Sequence, residues 1–154
     1  MSEAKIDNIN FFTFLHGNDI IKGKSVFRQM FNLTGYNIEI YRLNSGYYGY
    51  YQKRDMLQWF LDTGKVNPDA FKITYYHNPV FSGCPDHKPT FEELDAKVKL
   101  RSLFNMLNVK VAFEHHENLY KITYFMRDKA IVEDSEEKGT LYLGGGRWGA
   151  PATT

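Results

Sequence analysis

Gly35-Tyr36-Asn37-Ile38-Glu39-Ile40-Tyr41-Arg42-Leu43-Asn44-Ser45-Gly46-Tyr47-Tyr48-Gly49-Tyr50-Tyr51 is the stretch whose reading decides the fold. Alternating apolar and polar residues run into Asn44-Ser45-Gly46, where small and amide side chains tolerate turn angles, so the pattern predicts two strands joined by a tight turn. Ile38 and Ile40 take one face of the first strand, and Glu39, Tyr41 and Leu43 take the other. Six tyrosines lie in these seventeen residues. A flat apolar ring with a polar tip lets such a ribbon stack a planar ligand or anchor a partner protein. The same rings serve equally well as cross-strand pairs on a half-buried sheet.

Upstream, the Phe-rich run Ile9 to Leu15 reads as a strand, and His16-Gly17-Asn18-Asp19 as a turn that ends on a helix N-cap. The helix that follows carries Ile20, Phe27, Met30 and Phe31 at helical spacing and closes at Thr34-Gly35, with glycine at the C-cap. Downstream, Met56, Leu57, Phe60 and Leu61 predict a short helix over Asp55 to Leu61. Phe71 to Tyr76 alternates as a strand, and the three prolines between His77 and Pro89 make that segment a loop. Thr90-Phe91-Glu92-Glu93 is a capping box, in which Thr90 and Glu93 each satisfy an orphan amide of the same helix start. It opens a long helix carrying Leu94, Val98, Leu100, Leu103, Phe104 and Leu107. Val109, Val111 and Phe113 then form a strand that His115-His116-Glu117-Asn118 turns into a partner, Leu119 to Met126, as a second hairpin. Glu133 to Lys138 is a polar, mostly acidic connection, Thr140 to Leu143 a last strand, and Gly144 to Gly149 a flexible tail.

This order predicts an α+β protein with a ferredoxin-like βαβ-βαβ sheet, helices on one face and added β-hairpins. At 154 residues it forms a single domain, 1–154, with 1–8 and 144–154 as flexible ends. Aromatic rings on both strand faces point to a sheet face covered by another subunit, hence a homo-oligomer. Lys and Arg total 19 against 18 for Asp and Glu, which gives no field to recruit nucleic acid or an anionic membrane. Cys84 is the single cysteine, so there is no intrachain disulfide framework and a reducing compartment, the cytoplasm, is expected. No apolar run approaches the roughly 20 residues a membrane-spanning helix needs.

Motifs that carry chemistry are few. Cys84-Pro85-Asp86-His87, with His77 nearby, lacks the second Cys-x-x-Cys pair of a structural zinc site and reads as a proline-stiffened surface loop. His115 and His116 are adjacent and point to opposite sides if the strand persists, so they do not share a metal. No metal and no cofactor is expected. Gly144-Gly145-Gly146 has no following Lys-Ser or Lys-Thr and is not a phosphate loop. No serine sits in a Gly-x-Ser-x-Gly setting. Two carboxylates stand out: Glu39, inside an apolar strand beside Tyr41, and Asp69, just before the Phe71 strand. Either can face a cationic ligand or lie on an exposed strand face.

The layout resembles that of the phage S-adenosylmethionine lyases, formerly called hydrolases. The likeness runs through the early aromatic strand, Leu33-Thr34-Gly35, the hairpin at Asn44-Ser45-Gly46-Tyr47, the acid before Phe71, the long helix leading into Val109 to Phe113, and Gly146-Arg147-Trp148. It implies a homotrimer in the host cytoplasm with an adenosine-containing ligand between subunits. It also implies cleavage of the sulfonium to methylthioadenosine and homoserine lactone. The substrate's own carboxylate attacks in that reaction, so the protein orients a near-attack conformer and needs no nucleophilic side chain. Asp69 and Glu39 are then the candidate catalytic residues, although the family carries a Glu where this chain has Asp69. Tyr41, Tyr47, Tyr50, His16 and Asn18 are the candidate ligand-binding residues. The competing expectation is a non-enzymatic phage-type inhibitor or nucleotide-sequestering protein that blocks a host protein with its tyrosine surface.

Overall fold

Thr34 and Gly35 both adopt left-handed backbone angles, φ 50° and 90°, and so form a two-residue turn rather than a helix end. The segment read as a helix from Ile20 is, where described, strand β1 (Phe27–Leu33), paired antiparallel with β2 (Tyr36–Arg42) from Phe27↔Arg42 to Leu33↔Tyr36. Gly35 does take the expected positive φ, but it serves a hairpin. Cross-strand pairs, with Asn32 Nδ2 donating to Asn37 Oδ1 at 3.0 Å, outweigh the helical spacing of Phe27, Met30 and Phe31.

The computed structural model describes residues 26–45, 50–83, 91–132 and 139–146, except for the side chains of 50–53, 91–93 and 96. Helix α1 (Tyr50–Gly64) occupies the place expected for the second tyrosine strand, so Tyr50 and Tyr51 begin a helix. Strand β3 (Phe71–Tyr76), helix α2 (Phe91–Leu107), and strands β4 (Val109–Glu114), β5 (Tyr120–Arg127), β6 (Ala130–Ile131) and β7 (Thr140–Gly145) follow. The early Phe-rich strand, the Asn44-Ser45-Gly46 turn beyond Ser45, the capping threonine, the acidic connection and Arg147-Trp148 lie outside the described residues.

Among those residues the strands form one mixed sheet in the order β1-β2-β3-β4-β7-β5-β6. The protein is α+β, as expected, but a single strand separates the two helices where the ferredoxin-like order needs two. β2, β3, β4 and β7 run parallel. β7 pairs with both β4 and β5, so β4 and β5 are not the expected hairpin. Gly144 and Gly145, expected in a tail, belong to β7. A Cβ on Gly144 would lie 2.7 Å from the Leu119 carbonyl oxygen, which requires glycine at that crossing.

Both helices cover one sheet face, because their rings meet rings of the same strands. Phe60 of α1 packs edge-on to Tyr41 at 4.9 Å and to Phe104 of α2 at 6.0 Å, and Phe104 reaches Tyr76 at 5.6 Å and Tyr142 at 6.2 Å. Trp59, which lies off the apolar stripe in sequence, also turns its edge to Tyr41 at 6.1 Å. In β4 the register shifts between Lys72↔Val109 and Ile73↔Val111, leaving Lys110 as an extra residue. That bulge puts Val109 on the helix-covered face with Ala112 and Glu114, whereas the plain alternation placed Val109 with Val111 and Phe113. Phe60 sits at the centre of the aromatic stack and is fully buried. Phe60→Ala is expected to cost about 3–5 kcal/mol. A urea-unfolding difference below about 1 kcal/mol would contradict this packing.

Candidate functional site

Parallel strands bring their carboxyl ends to one edge of the sheet, and in open α/β sheets ligands bind in the crevice outside that edge. Here it carries Asn44-Ser45 after β2, His77-Asn78 after β3, and His115-His116-Glu117 after β4. The amides of His115 and His116 both donate to the His77 carbonyl, at 3.3 and 2.9 Å, lacing the two strand ends together. His116 Nδ1 then lies 2.8 Å from His77 Nε2, with ring centroids 4.7 Å apart and planes at 78°. One of these nitrogens donates and the other accepts, so the contact needs at least one neutral ring. Burial, followed by the neighbouring His116 and His115, holds the His77 imidazolium below the usual histidine range. Asn78 fixes the base of the cluster, its amide donating to Ser45 Oγ at 2.7 Å and its Nδ2 to the Ser45 carbonyl at 2.8 Å.

Two carboxylates and a lysine brace the loop that presents His116. Glu114, buried at the end of β4, accepts from the Tyr76 hydroxyl at 2.7 Å and the Val80 amide at 2.5 Å, and pairs with Lys121 Nζ at 2.7 Å. Burial and then the Glu114 charge push the Tyr76 hydroxyl well above its ordinary range, so it stays a donor. Lys121 also donates to the Phe81 carbonyl and reaches Glu117 at 3.3 Å. Glu117 accepts from the Ser82 hydroxyl and, at 2.8 Å, from the Gly83 amide. Burial alone would raise its carboxyl, but these bonds and Lys121 hold it below the ordinary carboxylate range. Among the described residues no three His, Cys, Asp or Glu side chains converge as a metal set.

The sequence-derived candidates lie elsewhere. Glu39 is 1% exposed and sits beside Lys72, its partner in the β2–β3 register. Its Oε2 accepts from the Tyr41 hydroxyl at 2.5 Å and its Oε1 from Asn67 Nδ2 at 2.7 Å, with Arg28 at 3.8 Å. Burial, then the bond to Glu39, raises the Tyr41 hydroxyl far above its ordinary value, with Arg28 opposing. Lys72 donates to the carbonyls of Asn67 at 2.7 Å and Pro68 at 3.1 Å, tying the turn before β3 to the same cluster. Asp69 is exposed on that turn. Glu39 and Tyr41 are therefore brought together as predicted, within a packed network. Tyr50 opens α1, and Tyr47, His16, Asn18 and the Cys84 to His87 loop fall outside the described residues.

Sequence reasoning missed the pairing of His77 with His116, which lie 39 residues apart. The usable signal was positional, since His77 directly follows β3 and His116 stands two residues past β4. It becomes decisive only once β3 and β4 are known to be parallel neighbours. Fold and cluster define an α+β protein with a histidine pair at the carboxyl edge of its parallel strands. The sequence matches no protein-family model and no curated protein. Among solved structures it is similar to GAP50, the anchor in the inner membrane complex of Plasmodium, with a TM-score of 0.52 and 12% identity over 90% of this chain. The match spans 44% of GAP50 and concerns the fold alone. Among the described residues no helix is long and apolar enough to cross a membrane.

A depressed histidine makes stability fall with acid, because the unfolded chain takes up the proton first. The contribution is present above the unfolded value of about 6.5 and is lost as pH drops through the window below it. The urea midpoint is expected to fall more steeply between pH 7 and pH 5 in the wild type than in His77→Asn. Coincident slopes would show that His77 titrates as it does in the unfolded chain.

Proposed function

We propose that the carboxyl edge is the functional site and that His77 and His116 act there as imidazole ligands for a divalent transition metal. The observation that carries this reading is the convergence of two ring nitrogens to 2.8 Å. Two nitrogens bound to one zinc-like ion at about 2.0–2.1 Å, with angles near 90–110°, stand roughly 2.9–3.3 Å apart. Moving the shared proton to the donor ring's other nitrogen, with a shift of a few tenths of an ångström, would free both lone pairs for one ion. Metal ligation also needs neutral imidazole, and the lowered proton affinity of His77 favours that form. Two imidazoles are two of the three protein ligands a catalytic zinc site takes. The reaction class it implies is hydrolysis by metal-bound water. The compartment we propose is the cytoplasm, on the support of the lone Cys84.

Cleavage of S-adenosylmethionine is the weaker proposal. It would need Glu39 to release Tyr41 and Asn67 before its carboxylate could face a sulfonium, which leaves Asp69 as the accessible acid. Calorimetric titration of the full chain with Zn²⁺ separates the readings. Saturable binding is expected, at least tenfold weaker in His77→Ala and in His116→Ala and unchanged in Glu39→Gln. Absence of saturable binding, or alanine variants that bind like the wild type, would contradict the metal reading. Release of methylthioadenosine from S-adenosylmethionine, lost in Asp69→Asn, would favour the lyase.

A further inference from the structure

Four strands contribute one residue each to the last row of the sheet below the histidine edge. Register places Tyr76 of β3 beside Glu114 of β4, Glu114 beside Gly144 of β7, and Gly144 beside Lys121 of β5. His77 and His115 are the next residues after β3 and β4. Lys121 and Glu114 thus stand two strand spacings apart, about 9–10 Å, with a glycine between them. A Cβ on Gly144 would lie 2.8 Å from Lys121 Cγ, so the lysine stem crosses β7 over the residue type that leaves it room. Its ammonium arrives 2.7 Å from Glu114 Oε2, 3.3 Å from Glu117 Oε2 and against the Phe81 carbonyl.

We propose that Lys121 is the positioning residue of the histidine pair, its ammonium fixing the 114–117 segment and the loop after β3 so that the His116 ring meets His77. The proposal takes its functional consequence from the metal reading of the same edge. Glu114 and Glu117 flank His116 in sequence, and both are pinned to this one ammonium, which ties the segment on either side of the ring. Glu114 Oε2 is buried and, among the described residues, accepts no aligned hydrogen bond, so the Lys121 charge is what compensates it. The Phe81 carbonyl brings in the loop that begins at His77. Without the ammonium, two carboxylates only 1% and 5% exposed are left as uncompensated like charges. Glu114 is held in the β4 ladder, so the repulsion is relieved by moving Glu117, and His116 moves with it.

Lys72 provides the matching control. It too is a buried lysine, but it holds the Asn67 and Pro68 carbonyls at the opposite end of the parallel strands. NMR of the imidazole nitrogens in the metal-free full chain reads the ring contact, and zinc titration reads its consequence. Lys121→Met should bring the His77 and His116 ring nitrogens to the shifts of isolated histidines and weaken zinc binding roughly tenfold or more, as loss of an outer-shell support does. Lys72→Met should leave both as in the wild type. Lys121→Gln keeps a donor for the Phe81 carbonyl without the charge, and it carries the test, with shifts in the same direction, if Lys121→Met fails to fold. Ring nitrogens that do not respond to loss of the charge overturn the proposal, as do equal changes in Lys72→Met, which would report general loosening. A wild type that binds no zinc overturns the metal reading alone, because the ring spectra still decide whether Lys121 holds the pair.

Discussion

Two consecutive crossovers, β2-α1-β3 and β3-α2-β4, constrain everything else in this molecule. Each returns the chain to a strand parallel to the last, and both lay their helices on the same face, where Phe60 and Phe104 meet Tyr41, Tyr76 and Tyr142. Parallel strands also bring their carboxyl ends to one edge. The histidine pair is therefore a product of this topology.

Buried charge follows the same division. At the start of β3, Glu39, Arg28 and Lys72 close a network around the 65–70 turn. At the carboxyl edge, Glu114, Lys121 and Glu117 bind the loops after β3 and β4 to β5. Removing one partner from such a buried pair costs about 3–5 kcal/mol, so each cluster fixes backbone geometry locally. The first holds a turn. The second holds the loop from which His116 faces His77, and so ties β5, through Lys121, to the position of the imidazoles.

The sequence made the central elements legible. Phe71 to Tyr76, the long helix to Leu107 and the strand from Val109 emerge where period and capping point to them, because local propensity and tertiary packing agree there. From Phe27 on the expected first helix is instead β1, because Phe27 and Phe31, four apart, fit both periods, and only the pairing with β2 decides between them. The hairpin at Gly46 fails because both edges of β2 are taken, by β1 and β3, and Tyr50 begins α1. The expected β4–β5 hairpin fails because β7, the last of the described strands, inserts between its two members. Of the site, Glu39 and Tyr41 were legible as neighbours through their i, i+2 spacing on one strand face. His77 and His116 were not, since their meeting depends on which strands adjoin, and a single sequence carries little of that information.

The most direct measurement is an anomalous difference map from crystals of the full chain grown with Co²⁺. The account predicts a metal peak about 2.1 Å from both His77 Nε2 and His116 Nδ1, at the carboxyl edge of the parallel strands. A map with no peak between those rings, or with the metal bound at other residues, would contradict it.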